Sequence, residues 1–360
     1  MRVKVGLIAN PNAARDVRRL TSLARTVDVH ERVNLVARVV RGLAAVGVDE
    51  VIAMVEPCRV AERAWAVLAA AGSSAGRLPS LRPVGAPAGD AAGTAVAAGA
   101  MAELGIGCVV TVGGDGTHRA VAVGWPDVVF ASVPAGTNNA FAPAVDPTVL
   151  GLAAGLFTLD PKGLALHAPM VSRLEVDVDG DGAAARPAPA LVDVAVVDEQ
   201  WVGARAMWDE RLLVEAVVTR ADPTLCGLAG LAGMVDGTRP AATATHLRFG
   251  GTGLEVLAPL GPGQLVQARL AEVSTLSAGD EVVVGGGRVT LAFDGERERV
   301  LQPDQWARVR VVADGPRLID AAALVRAAAA DGAFSRSMAG GTGADSGTES
   351  TDGRRRHAHE

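Results

Sequence analysis

The chain has no tyrosine, only three cysteines, and only two lysines, Lys4 and Lys162, among 360 residues. With so little lysine, a G-x-x-x-x-G-K-[ST] phosphate loop has almost nowhere to lie, and none is found. A G-x-G-x-x-G dinucleotide fingerprint and an H-E-x-x-H zinc helix are also missing. Cys58, Cys108 and Cys226 are odd in number, far apart and without a C-x-x-C pair, which argues against a disulfide framework or a zinc site. They fit free thiols in a reducing cytoplasm. Aromatics make up 3% and the formal charge is −6, so no basic, aromatic-studded face for nucleic acid is expected. No uninterrupted apolar run reaches the roughly 18 residues of a membrane span. The start, Met1 to Ala9, reads as a first strand and not as a secretory leader. The expectation is a cytoplasmic protein with no stable membrane insertion; a homo-oligomer is left open.

What is abundant is Ala and Val, within a hydrophobic content of 49%. The first half alternates β-branched runs with helical periodicity. Strands are expected over 3–9, 51–55, 108–112 and 128–133. Helices are expected over 15–26, 33–45, 61–71 and 94–104, with 73–83 as loop. That alternation predicts an α/β, Rossmann-like parallel sheet, whose ligands bind beyond the carboxyl ends of the strands. From about residue 165 short strands follow one another, over 171–178, 190–197, 211–219, 243–249, 253–257, 264–270, 281–284 and 288–293. They predict a mostly antiparallel β-sandwich. The expected division is 1–164 for the α/β nucleotide-binding domain, 165–315 for the sandwich, 316–332 for a C-terminal helix and 333–360 for a disordered tail.

The chemistry concentrates in Gly113-Gly114-Asp115-Gly116-Thr117, which sits between the apolar run 108–112 and an Ala/Val-rich helical stretch. Glycines at a strand-to-helix turn let a ligand approach the backbone, and amides at a helix N-terminus suit phosphate. A carboxylate among such amides would repel phosphate, unless Asp115 handles a proton or a metal ion. The plainer account is a turn aspartate capping the next helix. A second turn, Pro134-Ala135-Gly136-Thr137-Asn138-Asn139, follows the strand at 128–133. Glycines 227, 230 and 233 read as a flexible loop.

These pieces resemble the NAD kinase and diacylglycerol kinase-like superfamily. The resemblance rests on Gly113 to Thr117, on Gly136-Thr137-Asn138-Asn139-Ala140-Phe141, on Asn10-Pro11 past the first strand, on Ala190-Leu191-Val192-Asp193-Val194 and on Asp294-Gly295-Glu296. Within the superfamily the chain is similar to the ATP-NAD kinase-like acetoin-catabolism protein X group, through Arg15-Asp16-Val17-Arg18-Arg19, His118-Arg119 and Gly151 to Leu156. It departs from the lipid kinases at Ala140, where their G-T-G-N-D motif has aspartate. It departs from the NAD kinases at Val192 and in lacking a visible G-S-T-A-Y.

The resemblance implies a two-domain kinase with its active site between the domains. Asp115 is then the catalytic base. Asn10, Gly113, Gly114, Gly116, Thr117, Arg119, Gly136, Thr137, Asn138 and Asn139 bind the nucleotide, and Asp193, Asp294 and Glu296 bind the acceptor. No metal ligand is assigned directly. ATP and Mg²⁺ are the expected cofactors, and NAD, phosphorylated to NADP, is the expected substrate. Three alternatives stay open at this point: a small acetoin-related acceptor, a diacylglycerol-like lipid, or a nucleotide-binding regulator without turnover.

Overall fold

The apolar β-branched runs of the first half become short, buried strands. In this computed structural model, which describes residues 2–13, 22–72, 77–87, 89–137, 139–181, 186–199, 209–237 and 242–335, the first five are β1 (Lys4–Ala9), β2 (Glu50–Met54), β3 (Ser80–Val84), β4 (Val109–Gly113) and β5 (Val129–Pro134). Between and after them lie α1 (Val29–Ala45), α2 (Val60–Ala70), α3 (Ala91–Glu103), α4 (Asp115–Gly124) and α5 (Pro147–Leu159). Short aspartates start several of these helices. Asp28 accepts from Glu31 N at 2.7 Å and Asp90 from Gly93 N at 2.8 Å. Asp146 accepts from Thr148 N at 2.8 Å, just before a proline in the first turn of α5.

The second half is built of β6 (Arg173–Val178), β7 (Ala188–Ala190), β8 (Asp193–Val197), β9 (Leu213–Val218), helix α6 (Leu228–Asp236), β10 (Thr243–Gly261) and β11 (Gln264–Ser277). It continues through β12 (Glu281–Gly285), β13 (Thr290–Phe293), β14 (Glu296–Val300) and β15 (Trp306–Val312). The chain then returns to the first sheet as β16 (Arg317–Leu318) and ends its described part with α7 (Ala321–Ala330). The parallel sheet has the order β16-β5-β4-β1-β2-β3. The antiparallel sheets are β11-β10-β9-β8-β13-β14 and β12-β15-β6-β7. The expected class, a parallel α/β sheet followed by an antiparallel sandwich, is the one built. All three sheets belong to one compact unit, Met1–Val325; Arg326–Glu360 forms another.

Strand alternation sorts the core. Val5, Leu7, Val110 and Val112 face α1, α2 and α5. Ile8, Ile52, Val109 and Phe130 face the other way and pack in one cluster with Leu191, Leu231 and Leu247 of the β region. A third cluster, with Leu174, Val196, Leu291 and Val309, fills the sandwich. The shared second cluster is what fixes the β region against the parallel sheet.

Four local expectations change. Residues 14–21 lie outside the described ones, and 22–26 carry no helix. The expected loop over 73–83 contains edge strand β3, whose alternation Pro83 and Arg82 obscure. The two strands over 243–257 are one long strand, β10. Glycines 227, 230 and 233 belong to helix α6 and its cap; Gly230 and Gly233 let the helix lie against the backbone of Leu225 and of Asp222–Pro223.

Arg32 and His118 are among the polar groups sunk into this core. Arg32 of α1 is fully buried and donates to the carbonyls of Asn10 (2.8 Å), Val27 (2.9 Å) and Ala13, so a helix cation fixes the loop that follows β1. His118 of α4 lies between Phe130 (5.4 Å between centroids) and Phe141 (4.9 Å). Burial pushes its pKa down from 6.5 to about 3.

Arg32→Met strands three carbonyls, and urea unfolding is expected to show a loss on the order of 3 kcal/mol. For His118 the sign is set by a depressed folded pKa. The unfolded chain takes up a proton below about 6.5 that the folded one refuses, so stability is full above that pH and drains away towards pH 3. Between pH 7 and pH 5 the wild type should lose about 2 kcal/mol more than His118→Phe. Equal losses in the two proteins would show that His118 is not held neutral.

Candidate active site

Strands β4 and β5 are neighbours in parallel register, with Gly113 opposite Pro134. The two glycine-containing turns therefore leave the sheet side by side at its carboxyl edge. Ala135 N donates to Gly113 O at 2.8 Å and ties them at their roots. Gly113 is required by close approach: a Cβ there would lie 2.5 Å from Thr117 Oγ1. Gly114 caps α4 with extended backbone and no side-chain bond, and Asp115 opens the helix.

The N-cap of α4 is Gly114, and Asp115 follows it in the first turn. The Asp115 carboxylate reaches across to the second turn, where Ala140 N donates to Oδ2 at 2.9 Å and Phe141 N to Oδ1 at 3.0 Å. Asn10 Nδ2 donates to Thr117 Oγ1 at 2.9 Å, which brings the turn after β1 to the same place. Asn139 closes its own turn: Oδ1 accepts from Gly136 N at 2.8 Å, and Nδ2 donates to Gly136 O at 3.0 Å. Thr137 is buried in that turn. Asn138 lies outside the described residues.

The β region supplies the opposite wall. Asp294 and Gly295, with φ of 50° and 79°, form the two-residue turn between β13 and β14. The same turn aims the Asp294 carboxylate inward. Its Oδ1 accepts from Leu191 N (3.0 Å), Val192 N (2.8 Å) and Asp193 N (3.2 Å). Burial drives the Asp294 pKa up to about 7, against the pull of Arg119 and of the Val192 and Leu191 amides; the charge of Asp115 pushes the same way. Asp115, Asp193 and Asp294 line one cleft with Ala140, Leu213, Gly227 and Gly261. The carboxylate of Glu296 lies against Gly116, with Oε1 2.9 Å from where a Cβ would stand. A side chain at 116 would displace it.

So the structure brings together Asn10, Gly113 to Thr117, Gly136, Asn139, Asp193, Asp294 and Glu296. Arg119 is turned elsewhere. Its Nε donates to Pro189 O at 2.6 Å and its Nη1 to Glu298 at 2.6 Å, and the guanidinium lies 4.6 Å from the Phe293 ring centroid. It joins α4 to the sandwich and borders a separate polar cavity of about 520 Å³ with Asp177, Asp179 and Arg308.

Three contributors were not read from the sequence. The start of α6, with Cys226 and Gly227, lines the cleft. The tip of the β10–β11 hairpin borders it too, with Pro262 O accepting from Leu23 N at 2.9 Å. Arg220, two residues past β9, places its guanidinium 4.9 Å from the Phe141 ring centroid. Asp193 opens β8 as a charge within an apolar run, and Arg220 is likewise a charge bordering an apolar strand. Among the described residues no three His, Cys, Asp or Glu side chains converge to hold a metal ion, and no helix is long and apolar enough to cross a membrane.

A family model described as the acetoin catabolism protein X C-terminal domain matches residues 172–314. Among solved structures, yeast NADH kinase complexed with NADH superposes with a TM-score of 0.48 at 14% identity, over 93% of this chain and 89% of that one. A putative diacylglycerol kinase from Bacillus anthracis str. Sterne gives 0.42 at 15% identity, over 88% and 96%. Acetoin catabolism protein X of Cupriavidus necator is 36% identical over 333 residues, which are 89% of this chain and 91% of that protein. With that identity along nearly the full length of both, the chain belongs to the acetoin catabolism protein X family.

Proposed function

We propose that this protein is a phosphotransferase that moves the terminal phosphoryl group of ATP onto an acceptor hydroxyl, with Asp115 as the general base. The observation that carries the reading is the placement of Asp115. It is a buried carboxylate, oriented by two amides, at the mouth of a glycine turn and in one cleft with Asp193 and Asp294. In the step, the acceptor oxygen bonds to the γ-phosphorus and its proton passes to Asp115. The bond from that phosphorus to the β-phosphate oxygen breaks, and ADP leaves.

In this reading the α/β domain, 1–164, carries the nucleotide, and the sandwich domain, 165–315, presents the acceptor, in the cytoplasm. The backbone of Gly113 to Thr117, the Asn10 side chain and the 136–139 turn face the phosphates. Mg²⁺ fits as an ion brought in on the nucleotide, since it needs only one or two protein carboxylates. Brought in that way, it would offset the phosphate charge.

NAD, taken at the ribose 2′-hydroxyl, is the first acceptor to test. A small hydroxylated acceptor of the acetoin type is the second to test, and what favours it is the likeness to acetoin catabolism protein X. The experiment is NADP formation from Mg-ATP and NAD by purified protein, together with ADP release over a panel of small hydroxy compounds. Asp115→Asn is expected to lower kcat by roughly 10²- to 10⁴-fold while ATP affinity changes little. Undiminished turnover in that variant would remove Asp115 from the base role. ATP binding without turnover on any acceptor would favour a regulator.

A further inference from the structure

Arg220 is a half-buried cation that the reaction described above does not use. The end of β9 is pinned beneath it: Thr219 N donates to Val192 O at 2.8 Å, and the Thr219 hydroxyl donates to Leu191 O at 2.9 Å. From there the guanidinium stacks on Phe141, the residue whose N–H holds Asp115 Oδ1. Its Nη2 is shut off from solvent and has no hydrogen-bond partner among the described residues. A desolvated guanidinium with an unfilled N–H is costly, and a structure retains one where its charge is used. Two neighbours feel that charge. It opposes protonation of His118, and Asp115 offsets part of what burial costs Arg220 itself.

We propose that Arg220 is a positioning residue for Asp115: from the β region it braces the Phe141 backbone that grips the carboxylate, and it keeps that carboxylate ionised. The proposal rests on the reading of Asp115 as the base. Among the described residues, the other charged groups of this cleft are Asp193, Asp294 and Asp209, the last paired with Arg211, and Glu296 lies against Gly116. The carboxylates favour a proton on Asp115. On its own helix His118 is neutral, and Arg119 is committed to Glu298. Arg220 is thus a cation set against a cleft of carboxylates. An ionised Asp115 at neutral pH is what a base needs before the acceptor hydroxyl arrives.

The test is a carboxyl-carbon NMR titration of the full chain labelled at aspartate Cγ, with the Asp115 signal identified by its loss in Asp115→Asn. Arg220→Gln is expected to move the Asp115 midpoint up by about one unit or more, and Arg220→Lys, which keeps the charge, to leave it near the wild type. If Arg220→Gln does not fold, Arg220→Met, which keeps the packing on Phe141, takes its place. An unchanged midpoint in a folded neutral variant overturns the proposal. So does a Lys variant that titrates like the neutral ones, because the effect would then be packing and not charge. Failure of the base reading shows separately, as phosphoryl transfer that survives Asp115→Asn. In that case a shifted midpoint would still establish the coupling to Arg220.

Discussion

The grip of two backbone amides on the Asp115 carboxylate organises the cleft. Ala140 N and Phe141 N belong to the turn after β5, and Asp115 to the turn after β4. Each turn alone would be a loop at a sheet edge. Joined by two charge-assisted hydrogen bonds, they become one platform, on which the Asn10–Thr117 bond and the Gly136–Asn139 ring are further braces. The grip also decides what can be packed below it. Phe141 is fixed by its own N–H, and its ring then seats His118 on one side and Arg220 on another. The Asp115 carboxylate, a buried imidazole and a half-buried guanidinium thus share one anchoring residue.

Electrostatics in the cleft follows from that crowding. Asp115, Asp193 and Asp294 line one cleft, and burial favours the neutral form of Asp294. The protein answers with directed backbone donors and not with a ring of lysines. Asp294 takes the amides of Leu191, Val192 and Asp193, and Asp115 those of Ala140 and Phe141. Amide donors stabilise negative charge without carrying a full charge themselves. A composition with two lysines is compatible with a cleft of carboxylates on these terms.

Much of the fold was legible because burial leaves a periodic mark. Val109 to Val112 and Val5 to Ile8 are unbroken apolar strands, and α1 shows its stripe of Val33, Val36, Val40 and Leu43. What escaped has no such mark. Strand β3 contains Arg82 and Pro83 because it is an exposed edge, and α6 is rich in glycine because it lies close against neighbouring backbone. In the site, Asp115 stood out as a carboxylate among amides suited to phosphate, and the Asp-Gly turn at 294–295 through the motif resemblance. Arg119 came in by the same resemblance, yet it serves the packing of α4 on the sandwich. Sequence adjacency to a glycine turn does not reveal which side of the helix a side chain leaves from. Arg220 lies far from every motif, and only the tertiary fold brings it beside Phe141.

The return of the chain as β16 bears on how the molecule comes into being during synthesis. Arg317 and Leu318 pair with Val129 and Phe130 of β5, and Leu318 N donates to Pro169 O at 3.1 Å. The outermost strand beside β5 is therefore supplied only after every strand of the sandwich has emerged from the ribosome. Until then β5, which leads into the Gly136–Phe141 turn, is an open edge. Long-range pairing of this kind is slow and leaves an edge unprotected meanwhile. The α/β half thus cannot finish folding ahead of the β region, and a chain cut short after β15 would lack part of the sheet that carries Asp115.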